Sequence, residues 1–366
     1  MPESAARLAL TAAVVCGLFL CGCTGTPVPM PSQPTTLVEP SQTPSLEPSM
    51  PVTMAVSPAF QELRATLELF AREKLDEGAS AVLIKVKAGQ QEWTHAAGVR
   101  SRAAPVSVQP GDRFDGGDQL RTMVAVSVLK LVEEGRLALD DPINTHLPGS
   151  VPAGNPVTIR QLLGDATELP AAPSPQADTL LGLLVERLRG VPLETSLRTD
   201  ILSPLTLDST SLLVPGSATP DDVVHGYVQL NGETVDVTFP HVPNGASSVR
   251  LLSTVEDLTR FQATLLEGRL LAPQSLVSMK GSVFAGYGLG LDHWEDHCTN
   301  GSYYGHAGDV PGYGSITMSS ADENRQLAIF MAYPPQPIAP QPSALALEMT
   351  GLAQVALNSS CRFHFR

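Results

Sequence analysis

The amino-acid sequence predicts a mixed α/β domain of the α+β kind: an antiparallel sheet formed by both chain ends, flanked by helices, with an inserted helical region. Strand-type runs occur early, at Ala81 to Lys87 and Gln91 to Ala97, and again late, at Gly314 to Ser319 and Gln326 to Ala332. Residues 135 to 280 read instead as helices with short connections. With 366 residues and 43% hydrophobic content, the chain can bury a full core.

The first element starts at Ser57-Pro58, where Ser serves as N-cap and Pro fits the first turn; Phe60, Leu63, Leu67 and Phe70 follow at helical spacing and Gly78 ends the run. The two early strands turn about Gly89 as a hairpin. A helix is predicted from about Asp118 to Glu134, and the helical region contains Val157 to Leu163, Asp178 to Leu188 and Thr254 to Leu266. Strands are then expected at Tyr287 to Leu291 and at the two late runs, with a final helix over Ser343 to Leu357. No internal repeat of solenoid length is visible.

A net charge of −14 and a pI near 4.9 argue against nucleic acid or a polyanionic polymer as partner, and no basic cluster suited to phosphates occurs. Arg7, an apolar run from Leu8 to Leu20 and then Cys21-Gly22-Cys23 resemble a bacterial lipoprotein signal with Cys23 as the lipidated residue. The apolar run is short of the roughly 20 residues that a spanning helix needs. Residues 24 to 57, rich in Pro, Ser and Thr, suit an extended tether. The expected organisation is a signal over 1–23, a tether over 24–57 and a folded domain over 58–366, lipid-anchored at the extracytoplasmic face of the cell membrane.

Three of the five cysteines, Cys16, Cys21 and Cys23, fall in the signal region. In an exported protein the remaining pair, Cys298 and Cys361, suggests a disulfide tying the C-terminus to the loop before His306. His297 beside Cys298 is too little for a zinc site, so no metal and no cofactor are expected.

The chemistry lies in the motifs. Phe114-Asp115-Gly116-Gly117-Asp118-Gln119-Leu120-Arg121 leads into a helix that ends in Leu131-Val132-Glu133-Glu134-Gly135-Arg136-Leu137-Ala138-Leu139-Asp140-Asp141-Pro142. This resembles the active-site helix of the serine β-lactamase and penicillin-binding protein superfamily, nearest its class C β-lactamase and D-Ala-D-Ala carboxypeptidase branch, where the pattern is Phe-x-x-Gly-Ser-x-x-Lys. The resemblance covers roughly residues 58 to 360 and places Asp118 at the nucleophile position and Arg121 at the lysine position. Acyl transfer needs a hydroxyl that can lose its proton and a neighbour that can take it. Aspartate is a poor acylation nucleophile, and a guanidinium stays protonated and cannot be a base. The new pair reads as an i,i+3 ion pair at a helix start, where Asp also suits the dipole.

A literal Ser-x-x-Lys occurs at Ser127-Val128-Leu129-Lys130, about two and a half turns inside the helix among Val124, Val126, Leu131 and Val132, and reads as accidental. The resemblance also implies a Leu-Leu-x-His-Thr-Ser-Gly-Leu-Pro turn, which appears as Leu162 to Pro170 without its His and Gly. A Tyr-x-Asn motif is implied before the helix that contains Leu180-Leu181-Gly182, and Pro173-Ser174-Pro175 stand there. Neither Pro173 nor Pro175 can move a proton. By contrast Gly305-His306-Ala307-Gly308 resembles the intact His-x-Gly strand edge, so that His306, Ala307 and Gly308 are expected at the ligand cleft, with one oxyanion N–H. Glycines needed for a tight strand entry explain the same run equally well.

The resulting expectation is a surface-anchored, catalytically inactive homologue that binds a peptidoglycan peptide or an envelope protein. The alternative is an active serine hydrolase of β-lactamase, esterase or carboxypeptidase type, with Ser127 or another serine as nucleophile and His306 as base. A purely structural scaffold in an envelope complex is the third reading.

Overall fold

The computed structural model describes residues 56–361 except 153, 155, 165–176, 214–219, 239–248, 284–285 and 339–340. Helix α1 (Pro58–Asp76) opens with the Ser57 hydroxyl accepting the Phe60 N–H at 3.2 Å. The hairpin of β1 (Ala81–Ala88) and β2 (Gln91–Gly98) follows, and β3 (Phe114–Asp115) leads into α2 (Gln119–Glu133). The inserted region holds α3 (Ile143–His146), α4 (Ile159–Leu163), α5 (Ala177–Arg189) and α6 (Leu193–Leu197), continued by a π-helical turn at Arg198–Leu202. Next come β4 (Ser211–Leu213), the hairpin β5 (Tyr227–Leu230) and β6 (Glu233–Asp236), β7 (Arg250–Ser253), α7 (Val255–Leu266) and α8 (Pro273–Lys280). The chain then returns through β8 (Asp292–Asp296), β9 (Gly301–Val310), β10 (Tyr313–Ser320) and β11 (Arg325–Ala332) to α9 (Ala344–Ser359).

The main sheet has six strands in the order β2-β1-β11-β10-β9-β8, every neighbour antiparallel. The first hairpin therefore zips onto the last strand, with Ile84 opposite Ile329, and both chain ends close one sheet around the helical insertion. One strand differs from expectation. Tyr287 to Leu291 is a turn held by a lone bridge from Tyr287 to Asp292, and the strand begins only at Asp292. Gly290 sits there at φ 69°, a left-handed conformation open to glycine, which breaks the extended run.

Alternation along the central strands fills a core on each face of the sheet. Val82, Ile84, Val86, Ile329 and Met331 pack with Phe60, Leu67 and Phe70 of α1 and with Met349, Ala353 and Leu357 of α9. Leu83, Ala328 and Phe330 face the other way, onto α2 and the Phe261 side of α7. Each fully buried large side chain contributes about 1.5–3 kcal/mol. Phe114 stacks on Phe330 at 3.7 Å between ring centroids, which pins β3, and with it the start of α2, to the sheet.

At the far edge Cys298 and Cys361 form a disulfide across a separation of 63 residues. Closing a loop of that length is worth about 4 kcal/mol in the chain-entropy account. Beneath it lies Arg325, wholly buried, whose guanidinium donates to Asp296 at 2.9 and 2.6 Å and to the Tyr303 hydroxyl at 2.6 Å. Burial alone pushes the Asp296 carboxyl up, but hydrogen bonds from Arg325 and Thr299 and the Arg325 charge outweigh it and hold it near 2.

Candidate functional site

The start of α2 is set by a tight turn. The Asp115 carboxylate accepts the Gly117 N–H at 2.9 Å, and Gly117 takes φ 55°, which brings the chain round so that Asp118 stands at the N-cap of α2. The Asp118 side chain makes no capping bond to its own helix. Its Oδ2 lies instead 3.4 Å from the Asp309 N–H on β9. The two segments touch closely here. A Cβ on Gly308 would lie 2.4 Å from the Gly116 carbonyl oxygen and 3.2 Å from the Asp118 nitrogen, so only glycine lets β9 run this near the turn. The Ser315 hydroxyl donates to that same carbonyl at 2.9 Å.

Burial is the largest influence on Asp118 and raises its carboxyl above the ordinary range; His306, Arg121 and the Asp309 N–H pull the other way, and Asp178 adds to the rise.

Arg121 corrects the expected i,i+3 pair. Its guanidinium forks onto Asp178 of α5, with Nη2 to Oδ2 at 2.8 Å and Nε to Oδ1 at 2.8 Å. The reason is geometric: Asp178 enters from the first turn of a neighbouring helix and meets the guanidinium with one hydrogen bond and a second close ion-pair contact, whereas the Asp118 carboxylate lies against the Asp309 N–H of β9. Burial works against the charge on Arg121, yet Asp178, followed by Tyr287 and Asp118, leaves it more firmly protonated than usual.

His306 is buried in β9. Its Nδ1 is 2.6 Å from the Ala307 carbonyl, which can only accept, so Nδ1 carries the proton. In the neutral ring Nε2 then accepts from the Tyr287 hydroxyl at 2.8 Å. Both ring nitrogens are thereby occupied. Burial also drives the Tyr287 phenol well above its usual range, against the opposing charge of Arg121. Gln119 closes the seam between α2 and the sheet, donating to the His306 carbonyl at 2.6 Å and accepting from the Thr317 hydroxyl at 2.9 Å.

A cavity of about 320 Å³ opens between α2, α5 and the β9–β10 turn. Asp118, Arg121 and Asp178 line its polar side, and Leu120, Val124, Leu183 and Val310 its apolar side. Of the residues expected at the cleft, Asp118 and Arg121 face this cavity. His306, Ala307 and Gly308 do not line it; β9 reaches the cavity at Val310, because Gly308 and His306 are pressed against α2. Pro173, Pro175, residues 165–170 and Cys23 lie outside the described residues.

Ser127 is fully buried in α2, and its hydroxyl has no hydrogen-bond partner among the described residues. Lys130 turns away from it to donate to the Asp200 carbonyl at 3.0 Å. A buried hydroxyl without a partner costs about 1–3 kcal/mol. Ser127→Ala is therefore expected to leave the urea midpoint unchanged or higher; a drop equivalent to more than about 1 kcal/mol would show that the hydroxyl is used.

Sequence reasoning did not find Asp178, Tyr287 or the Asp309 N–H. A usable signal existed for Asp178: an arginine that cannot discharge, set in a buried motif, requires an acid, and Asp178 opens the helix next to it.

A model of the β-lactamase family matches residues 70–347. The chain belongs to the β-lactamase family. Among curated proteins it is similar to PbpX of Bacillus subtilis (strain 168), whose name assigns it to the penicillin-binding proteins, with 22% identity over 284 residues, covering 69% of this chain and 70% of PbpX. Among solved structures, a D-stereospecific amidohydrolase from Streptomyces sp. superimposes with a TM-score of 0.61 at 26% identity, covering 74% of this chain and 94% of that one. D-amino acid amidase from Ochrobactrum anthropi SV3 gives a TM-score of 0.66 at 18% identity, over 82% and 99% of the two chains. An octameric penicillin-binding protein homologue from Pyrococcus abyssi gives 0.64 at 22%, over 81% and 78%. The last two likenesses speak for the fold: an antiparallel sheet with helices on both faces and a helical insertion, as in this β-lactamase-family chain.

Proposed function

We propose that this β-lactamase-family protein has given up acyl transfer and works as a binding protein of the cell envelope, held at the membrane by a lipid on Cys23. One observation carries the loss of chemistry. Asp118 stands at the mouth of α2 with its carboxylate on the Asp309 N–H, and the cation one turn on is forked to Asp178. A carboxylate there offers no hydroxyl to acylate, and it takes up the Asp309 N–H beside it. Arg121 cannot accept a proton, and the lone acceptor nitrogen of His306 is taken by Tyr287. The buried Ser127 speaks against the active-hydrolase reading.

A peptide or amide of the cell wall is the favoured ligand class. The similar structures include an amidase solved with L-phenylalanine amide, and the cavity combines polar and apolar walls of suitable size. The test is the intact mass of the protein before and after incubation with a penicillin at high concentration. No adduct on folded protein is the expected result; a stoichiometric adduct on any serine would overturn the reading. For the anchor, Cys23→Ala is expected to move the protein from the membrane to the soluble fraction, and retention in the membrane would refute it.

A further inference from the structure

We infer that the cavity beside Asp118 takes a ligand bearing an organic ammonium group on an apolar stem. The inference rests on the binding reading above and names the ligand class. Among the described residues, four carboxylates and two guanidiniums line the cavity, and they pair unevenly. Arg121 is forked to Asp178, and Arg250 lies 3.0 Å from Asp115. Among the described residues, Asp118 and Glu186 are left without a cation. Glu186 spends one oxygen on the Leu193 N–H at 2.8 Å, whereas Asp118, among the described residues, receives the single 3.4 Å bond from Asp309.

A carboxylate drawn out of water and short of donors is an unsatisfied acceptor. Its raised protonation tendency reports the same shortage, with burial as the leading cause. An ammonium group brings three donors and the opposite charge, which answers both deficits at once. A carboxylate ligand would meet Asp118 with both arginines already engaged. The apolar wall of Leu120, Val124, Leu183 and Val310 then receives the stem, in a volume at the low end for small-molecule sites.

The experiment compares two probes of matched shape, 3-phenylpropylammonium and 3-phenylpropionate, titrated into the full chain and followed by calorimetry. The ammonium probe is expected to saturate at millimolar concentration or below, and the carboxylate probe to bind at least tenfold more weakly. In Asp118→Asn, which keeps the shape and removes the charge, ammonium affinity should fall at least tenfold. Equal or tighter binding of the carboxylate, no saturable binding of the ammonium, or full ammonium affinity in Asp118→Asn would each overturn the inference. If that variant does not fold, the two-probe comparison on the native chain decides alone. A penicillin adduct would remove the inactive reading while leaving the charge preference standing, so the two failures are separable.

Discussion

Restoring serine at position 118 and lysine at position 121 together is expected to leave β-lactam acylation slow. The lysine would inherit Asp178, which now grips Arg121 through two 2.8 Å contacts, and an ammonium so paired keeps its proton. Without a base, the serine loses a contribution of about 10²–10⁴-fold. The prolines at 173 and 175 supply no substitute phenol. Adding Asp178→Asn to the double variant should release the lysine and speed labelling by about 10²-fold, read as the rate of adduct formation by mass spectrometry. Rapid labelling of the double variant alone, with Asp178 intact, would sink the claim that this carboxylate holds the site inert.

The second large effect concerns stability. Arg325→Met is expected to cost about 3–5 kcal/mol, because it strands the buried Asp296 carboxylate beneath the disulfide. Removing both charges, in Arg325→Met with Asp296→Asn, should cost less than the single change. The pH dependence gives an independent check. In the native chain the Asp296 carboxyl is held near 2, below its unfolded value of about 3.9. Its contribution is therefore fully present above the unfolded value and is lost as pH falls through about 2. In Arg325→Met the guanidinium charge and its hydrogen bonds are gone and, among the described residues, Thr299 and the Cys298 N–H are left to oppose burial; the carboxyl is expected to rise above its unfolded value, so lowering the pH from about 7 to 5 should stabilise the variant. Denaturation midpoints at the two values read this directly, and a variant equally stable at both would count against the account.

Much of the fold was legible because it is written in local periodicity. Ser57, Thr158, Thr254 and Ser343 each cap the helix that the spacing of apolar residues announces, since a cap needs only residues three positions apart. The strand expected at Tyr287 to Leu291 failed for a local reason of another kind: apolar character was read as extension, while Gly286 and Gly290, both at positive φ, turn the chain there. The short strands β3, β4 and β7 carry too few residues to show alternation and form only because β7 is caught between the other two.

For the site the division is sharper. The residue types alone determined that position 118 carries no hydroxyl and that position 121 cannot act as a base, because both are properties of a side chain that no fold can change. Which partners those side chains take was decided by tertiary structure. Arg121 meets Asp178 from 57 residues on, Asp118 meets the Asp309 N–H from 191 residues on, and Tyr287 closes over His306. Such contacts follow from how α2, α5 and β9 pack against one another, and a hydrogen bond depends on distances and angles that packing alone supplies. The same packing put Ser127 inside the core and Asp118 at the cavity, although both belong to one helix and its cap.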